Sequence, residues 1–274
     1  MVETSDEWIR ERTGIGERHV SVGETVVALA SEAARKALEQ AGKRAEEIDL
    51  ILVATCSPEQ YLPCCACQVQ ADIGAVNALA FDVNAACSGF LFALNTADAY
   101  LRMGLAENAL IIGSEVLSKL VDWTDRGSCI LFGDGAGAVV VERCKAESRA
   151  VECGNDLAET EKGMQETAEE KRIPAAGILG RALHSDGTGG GVLQCGAREL
   201  TTPYVGTSAA KTDQNQPTND REHYIQMDGQ EVYRFATRRV PQCIEEALSD
   251  AGLAVPDIDL FVLHQANARI IDAV

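Results

Sequence analysis

Apolar residues recur every three or four positions between Glu24 and Ala41, at Val27, Ala30, Ala34, Leu38 and Ala41, which predicts an amphipathic helix stopped by Gly42. The run that follows, Asp49-Leu50-Ile51-Leu52-Val53-Ala54-Thr55, is almost continuously apolar and predicts a strand buried on both faces. Helix-like and strand-like patterns then alternate: a short helix over 64–73, a strand over 79–83, a helix over 88–103, and strands over 109–113 and 138–142. This alternation predicts an α/β fold with a parallel-rich sheet covered on both faces. Further on, 230–250 has a helical pattern in which Pro241 is expected to break or kink the helix, and the polar stretch 206–222 predicts a loop.

One unit occurs twice. Ala37-Leu38, Ala41-Gly42 and Ile48-Asp49-Leu50 recur as Ala247-Leu248, Ala251-Gly252 and Ile258-Asp259-Leu260, each 210 residues later without a gap. A duplicated helix-to-strand unit is predicted, the second copy ending in the strand Leu260-Phe261-Val262-Leu263.

Composition narrows the partners. A formal net charge of −18 over 274 residues repels nucleic acid and anionic membrane surfaces, so an anionic ligand needs a local basic patch. Eight carboxylates against four basic residues fall between 146 and 172, which predicts a solvated acidic excursion. No apolar stretch reaches the roughly 20 residues that span a bilayer, and the N-terminal residues do not resemble a signal peptide, so the expected location is cytoplasmic. Of the ten cysteines, Cys56, Cys64, Cys65, Cys67, Cys87 and Cys129 sit in or beside apolar segments, which predicts buried reduced thiols rather than a disulfide framework.

Cys87 is placed differently from the rest. In Asn84-Ala85-Ala86-Cys87-Ser88-Gly89-Phe90 it falls between a predicted strand end and a predicted helix start. Helix N–H groups aimed at the sulfur would lower the thiol pKa, small neighbours leave room for a carbonyl, and the Cys87 N–H could serve an oxyanion. A buried structural cysteine fits the local pattern equally well. Among four histidines, His264 follows the repeated apolar strand at its carboxyl end, where α/β proteins build sites. His19, His184 and His223 lie in polar, loop-like contexts. Gly133-Asp-Gly135-Ala-Gly137 suggests a dinucleotide loop but leads into a strand, so a tight turn is expected. Cys64-Cys65-Ala-Cys67 with Cys56 lacks the second pair that a zinc finger needs, so no metal is expected.

Six stretches together resemble β-ketoacyl-acyl-carrier-protein synthase III, the initiating condensing enzyme of type II fatty acid synthesis. They are Thr4-Ser5-Asp6-Glu7-Trp8-Ile9, Arg12-Thr13-Gly14-Ile15, Ala85-Ala86-Cys87-Ser88-Gly89-Phe90, Thr124-Asp125-Arg126-Gly127, Phe132-Gly133-Asp134-Gly135-Ala136-Gly137-Ala138, and His264-Gln265-Ala266-Asn267-Ala268-Arg269-Ile270-Ile271. The resemblance implies a thiolase-like, duplicated, five-layered α/β/α/β/α fold, with halves at 1–180 and 181–274, the second incomplete, and a homodimer. It implies decarboxylative condensation of an acyl-CoA primer with malonyl-acyl carrier protein, both of them substrates, with no resident cofactor. Cys87 matches the acyl-accepting nucleophile and His264 the histidine that stabilises the malonyl-derived carbanion. Trp8 matches the aromatic that stacks on adenine, with Thr4, Arg12 and Arg126 around the nucleotide and Gly229 by the coenzyme arm. Leu117, Phe132, Cys56 and Leu62 match the acyl pocket, Leu62 reaching across the dimer, and Arg234 and Arg269 match the carrier-protein docking surface.

The 146–172 excursion is longer than the family's, and Asp228 and Gln230 differ from its common residues. The family's third catalytic residue, an Asn in Gly-Asn-Thr-Ser, and a Gly-rich oxyanion loop fall after the position of Val274, and its first strand falls before Met1. That alignment leads to the expectation of a fragment poor at full condensation. Rival readings are a polyketide or hydroxymethylglutaryl-CoA synthase on the same fold, a non-catalytic module that only dimerises or holds carrier protein, and a Cys-His thioester hydrolase.

Overall fold

β1 (Leu50–Ala54) is buried at all five positions because sheet lies on both its edges and helices on both its faces. The computed structural model describes residues 2–144, 177–196 and 223–274. The acidic excursion and the whole polar 206–222 stretch fall outside the described residues. β2 (Leu79–Val83) and β3 (Asn108–Val116) flank β1 in parallel, with Ala54 opposite both Val83 and Gly113. β4 (Asp134–Glu142) pairs antiparallel with β3, giving the order β2-β1-β3-β4.

Alternate residues of the central strands feed two cores. Ile51, Val53, Leu110 and Ile112 pack with Val26, Ala30, Ala34 and Leu38 of α2 (Val26–Ala41) and Val69 of α3 (Cys65–Ile73). Leu50, Leu52, Ala109 and Ile111 pack on the opposite face with Ala93, Ala97 and Leu101 of α4 (Gly89–Arg102). Burying each such branched side chain is worth about 1.5–3 kcal/mol. Asp82 of β2 caps α3 from outside the helix, its two carboxylate oxygens accepting the Cys65 and Ala66 N–H groups at 2.9 and 2.7 Å.

The repeat is visible as structure. α2 and α5 (Gly229–Ala251) end at Gly42 and Gly252, both left-handed (φ 63° and 66°), and Lys43 and Leu253 each donate back to the leucine five residues earlier. Each copy then makes a 3-10 turn, at Ala45–Glu47 and Val255–Asp257, closed by an acidic side chain on the preceding backbone N–H.

Three expectations need correction. α5 runs through Pro241 unbroken. None of its residues is buried, so water can serve the carbonyl that proline leaves without a partner. Leu260–Leu263 joins no ladder among the described residues, and Leu260 and Val262 stand 75% and 85% exposed. An apolar run becomes a strand only where a neighbouring strand takes its hydrogen bonds. Gly135 and Gly137 lie inside β4 rather than in a turn, while Asp134 accepts the Ser21 and Ser118 N–H groups at 2.7 and 2.8 Å and so ties two loops to the sheet. These bonds hold its carboxyl below the usual carboxylate range against the opposing effect of burial.

Candidate active site at the β2–α4 turn

β2 ends at Val83, and a 3-10 turn, Ala86–Ser88, leads into α4. Ala86 has φ 44°, a left-handed conformation that a non-glycine residue adopts at a cost of about 1–3 kcal/mol, and the strain sits one residue before Cys87. Gly89 comes next. A Cβ there would stand 3.2 Å from the Ala54 Cβ, a tight contact, so glycine lets α4 begin close on the end of β1. Ser88 and Gly89 donate to Ala85 and Ala86, while the Cys87 N–H lies beside its own sulfur.

The thiol departs from expectation. Cys87 has an exposed side, yet the protein packed around its sulfur pushes the thiol above the usual cysteine value, Glu115 adding to the rise and the Cys87 N–H opposing it. Burial outweighs the local backbone donors, so the resting group is a thiol. Cys56 lies just past β1, and burial together with Glu115 pushes it up to about 12.

His264 falls at the end of the second repeat copy, in register with Ala54, the residue against which Gly89 packs. Burial lowers its pKa, leaving a neutral imidazole at neutral pH. No hydrogen bond joins it to Cys87 among the described residues. Its segment is anchored instead to α1 (Asp6–Thr13): Asn267 donates to the Arg12 carbonyl at 3.3 Å and Arg269 to the Glu11 carbonyl at 3.0 Å. Gly14, at φ 74°, permits this approach, because a Cβ on it would lie 2.6 Å from the Ala268 Cβ.

α1 also carries Trp8. The Arg12 and Arg126 guanidinium carbons lie 4.5 and 4.7 Å from its ring centroid, and the indole packs against a small core that includes Leu117 and Phe132. Thr4 is exposed beside this slot, where Arg126 donates to the Glu3 carbonyl at 3.5 Å. Asp125 shapes the loop that presents Arg126 by accepting the Gly127 N–H and Ser128 hydroxyl. Leu62 is separate from this cluster, 85% exposed on the loop before α3. Gly229 opens α5, capped by Asp228, and has space around its Cα. Arg234 pairs with Glu231 on α5, while Arg269 lies on α6 (Ala268–Ala273), which packs against α5.

Sequence reasoning missed two features. His184, set among loop residues, pairs with Glu246 and lines an open cleft of about 520 Å³ shared with Asn84, Ala85 and Ser88 of the turn that carries Cys87. Glu115, unremarkable in an apolar strand, receives three donors at the site. Among the described residues no cluster suited to a metal occurs, and Cys65 is buried in α3 while Cys67 faces the Ala80 carbonyl at 3.6 Å.

Residues 81–156 match the profile of 3-oxoacyl-[acyl-carrier-protein] synthase III. The chain is 43% identical over 272 residues to the β-ketoacyl-[acyl-carrier-protein] synthase III of Clostridium acetobutylicum, covering 99% of this chain and 72% of that one. It is 44% identical over 274 residues to the Synechococcus enzyme of the same name, covering 100% of this chain and 70% of the relative. The 3-oxoacyl-[acyl-carrier-protein] synthase III structure from Aquifex aeolicus superposes with a TM-score of 0.78 at 37% identity, across 99% of this chain and 71% of that one. With the fold shared over its whole length at such identities, the chain belongs to the β-ketoacyl-[acyl-carrier-protein] synthase III family of thiolase-like α/β condensing enzymes.

Proposed function

We propose that this chain initiates fatty acid synthesis by taking an acyl group from an acyl-CoA onto Cys87 and condensing it with malonyl-acyl carrier protein. The observation that carries this reading is the strained Ala86 turn, which sets the Cys87 thiol and its N–H together at the start of α4. Cys87 Sγ attacks the thioester carbonyl while its N–H donates to the oxyanion, and coenzyme A leaves as the thiol with the cysteine's proton. Malonyl thioester then loses carbon dioxide. His264, neutral in its surroundings, donates to the enolate oxygen that develops. The carbanion attacks the Cys87 acyl group, and the 3-ketoacyl product departs as Cys87 regains a proton.

Coenzyme A is recognised through Trp8, Arg12 and Arg126, with Thr4 and Gly229 along its path. Both guanidiniums now lie over the indole, so an adenine that stacks there displaces one of them. Acyl-CoA and carrier protein are substrates, and no resident cofactor is invoked. Leu117 and Phe132, already packed in one core, form the acyl wall. Leu62 is 85% exposed, and β2 lies at the edge of its sheet among the described residues; both fit a homodimer in which Leu62 reaches the partner's pocket. Arg234 and Arg269, joined by exposed Arg238 and Arg239 on α5, form the docking patch for the acidic carrier protein. The division into halves at 1–180 and 181–274 follows the repeat, and a cytoplasmic setting follows the substrates; no helix among the described residues is long and apolar enough to cross a membrane. Incubation with an acyl-CoA, followed by peptide mapping, tests the reading. The adduct belongs on Cys87 and disappears in Cys87→Ala; an adduct on another cysteine overturns it.

A further inference from the structure

Glu115, at the carboxyl end of β3, is a half-buried carboxylate that the proposed reaction does not use. Its Oε1 accepts the Cys56 N–H at 2.8 Å, and its Oε2 accepts the Thr55 hydroxyl at 3.2 Å and the Ser57 hydroxyl. All three donors come from the residues just past β1. Ser57 returns the tie, its Oγ accepting the Val116 N–H at 2.9 Å. On the other side of β1, Thr55 donates to the Val83 carbonyl at 3.2 Å, and the chain reaches Cys87 four residues later. Glu115, Cys56 and Cys87 therefore stand at the carboxyl ends of three adjacent strands, β3, β1 and β2, with Cys56 in the middle.

Two thiols at one acyl-transfer site pose a selection problem, because an acyl group stranded on Cys56 would occupy the pocket that the condensation needs. We propose that Glu115, held 2.8 Å from the Cys56 backbone nitrogen, is a positioning residue that keeps the Cys56 thiol unreactive, so that Cys87 alone takes the acyl group. This rests on the reading of Cys87 as nucleophile. The groups facing Cys56 are Glu115 on β3, Cys87 after β2 and Cys195 after β5 (Leu193–Gln194). Burial, first, and Glu115 act in the same direction on the Cys56 thiol, with no cation opposing them among the described residues.

The test uses the full chain in a Cys87→Ala background, so that neither acyl-CoA nor the Cys87 reading enters. Iodoacetamide adducts at Cys56 are quantified by peptide mapping from about pH 7 to about pH 11, spanning the ordinary cysteine range. The expected profile has its midpoint well above the usual value of about 8.5, and Glu115→Gln moves it down and speeds Cys56 labelling at about pH 8.5 by roughly tenfold. Circular dichroism of Glu115→Gln checks its fold. A Cys56 midpoint near the usual value with Glu115 intact overturns the proposal even if Glu115→Gln fails to fold. An unchanged profile in a folded Glu115→Gln protein, showing burial alone at work, overturns it as well. Failure of Cys87 to accept an acyl group is read in a separate assay and would count against the proposed function instead.

Discussion

Cys87 shows two opposed effects meeting on one atom. The protein packed around the sulfur, first, and the nearby Glu115 favour the thiol, while the Cys87 N–H favours a thiolate, and the first pair prevails. Alkylation of Cys87 should therefore reach half its maximal rate above the usual cysteine value of about 8.5, measured as iodoacetamide labelling against pH. His264 moves the opposite way from an ordinary imidazole. Because burial lowers its pKa, the neutral donor persists into mildly acid solution, and the acid limb of condensation should have its midpoint below about 6.5. His264→Ala should leave acylation of Cys87 near normal and lower condensation by roughly 100- to 1,000-fold, the loss typical of one oxyanion donor. Equal loss in both half-reactions would place His264 in the first step. Cys87 and His264 stand out in the sequence as candidates by position, but the direction of the Cys87 shift does not, because it depends on residues brought in from other strands.

At the level of elements, local patterns carried much of the fold. The helices and strands of the first half came through with boundaries within a few residues, and the 210-residue repeat extends to the matching glycine caps and 3-10 turns. Pairing was the part that local pattern does not hold. Leu260–Leu263 has an apolar run like that of β1 yet joins no ladder among the described residues, and β4 begins four residues before the apolar pattern does, at Asp134 rather than Ala138, because β3 extends to meet it. The stacking of Arg126 on Trp8 and the three donors on Glu115 likewise join residues far apart in sequence. Two substitutions probe elements directly. Asp82→Ala leaves two N–H groups of α3 without their acceptor and should cost about 0.5–2 kcal/mol by urea unfolding. Gly14→Val places side-chain atoms where Ala268 already sits, so it should separate α6 from α1, weakening coenzyme A binding and condensation while iodoacetamide labelling of Cys87 persists.

For the molecule as a whole, the balance of −18 makes a local basic surface the deciding feature for an acidic carrier protein. Arg238→Glu on α5 should weaken carrier-protein-dependent condensation and leave acylation by acyl-CoA unchanged. The binding should also weaken as ionic strength rises, since charges are screened beyond about 8 Å near physiological salt. Loss of both half-reactions together would remove α5 from the docking surface. Exposed Leu62 and the free edge of β2 belong to the dimer reading, so Leu62→Asp should shift sedimentation toward a monomer.

The central claim is that Cys87 receives the acyl group which the chain then extends. Intact mass and peptide mapping after incubation with acetyl-CoA, followed by a chase with malonyl-acyl carrier protein, measure both halves at once. The account predicts a single acetyl group on the peptide containing Cys87, lost in the chase as 3-ketoacyl-carrier protein forms, with neither step in Cys87→Ala. An acetyl group elsewhere, or product formed by Cys87→Ala, would contradict it.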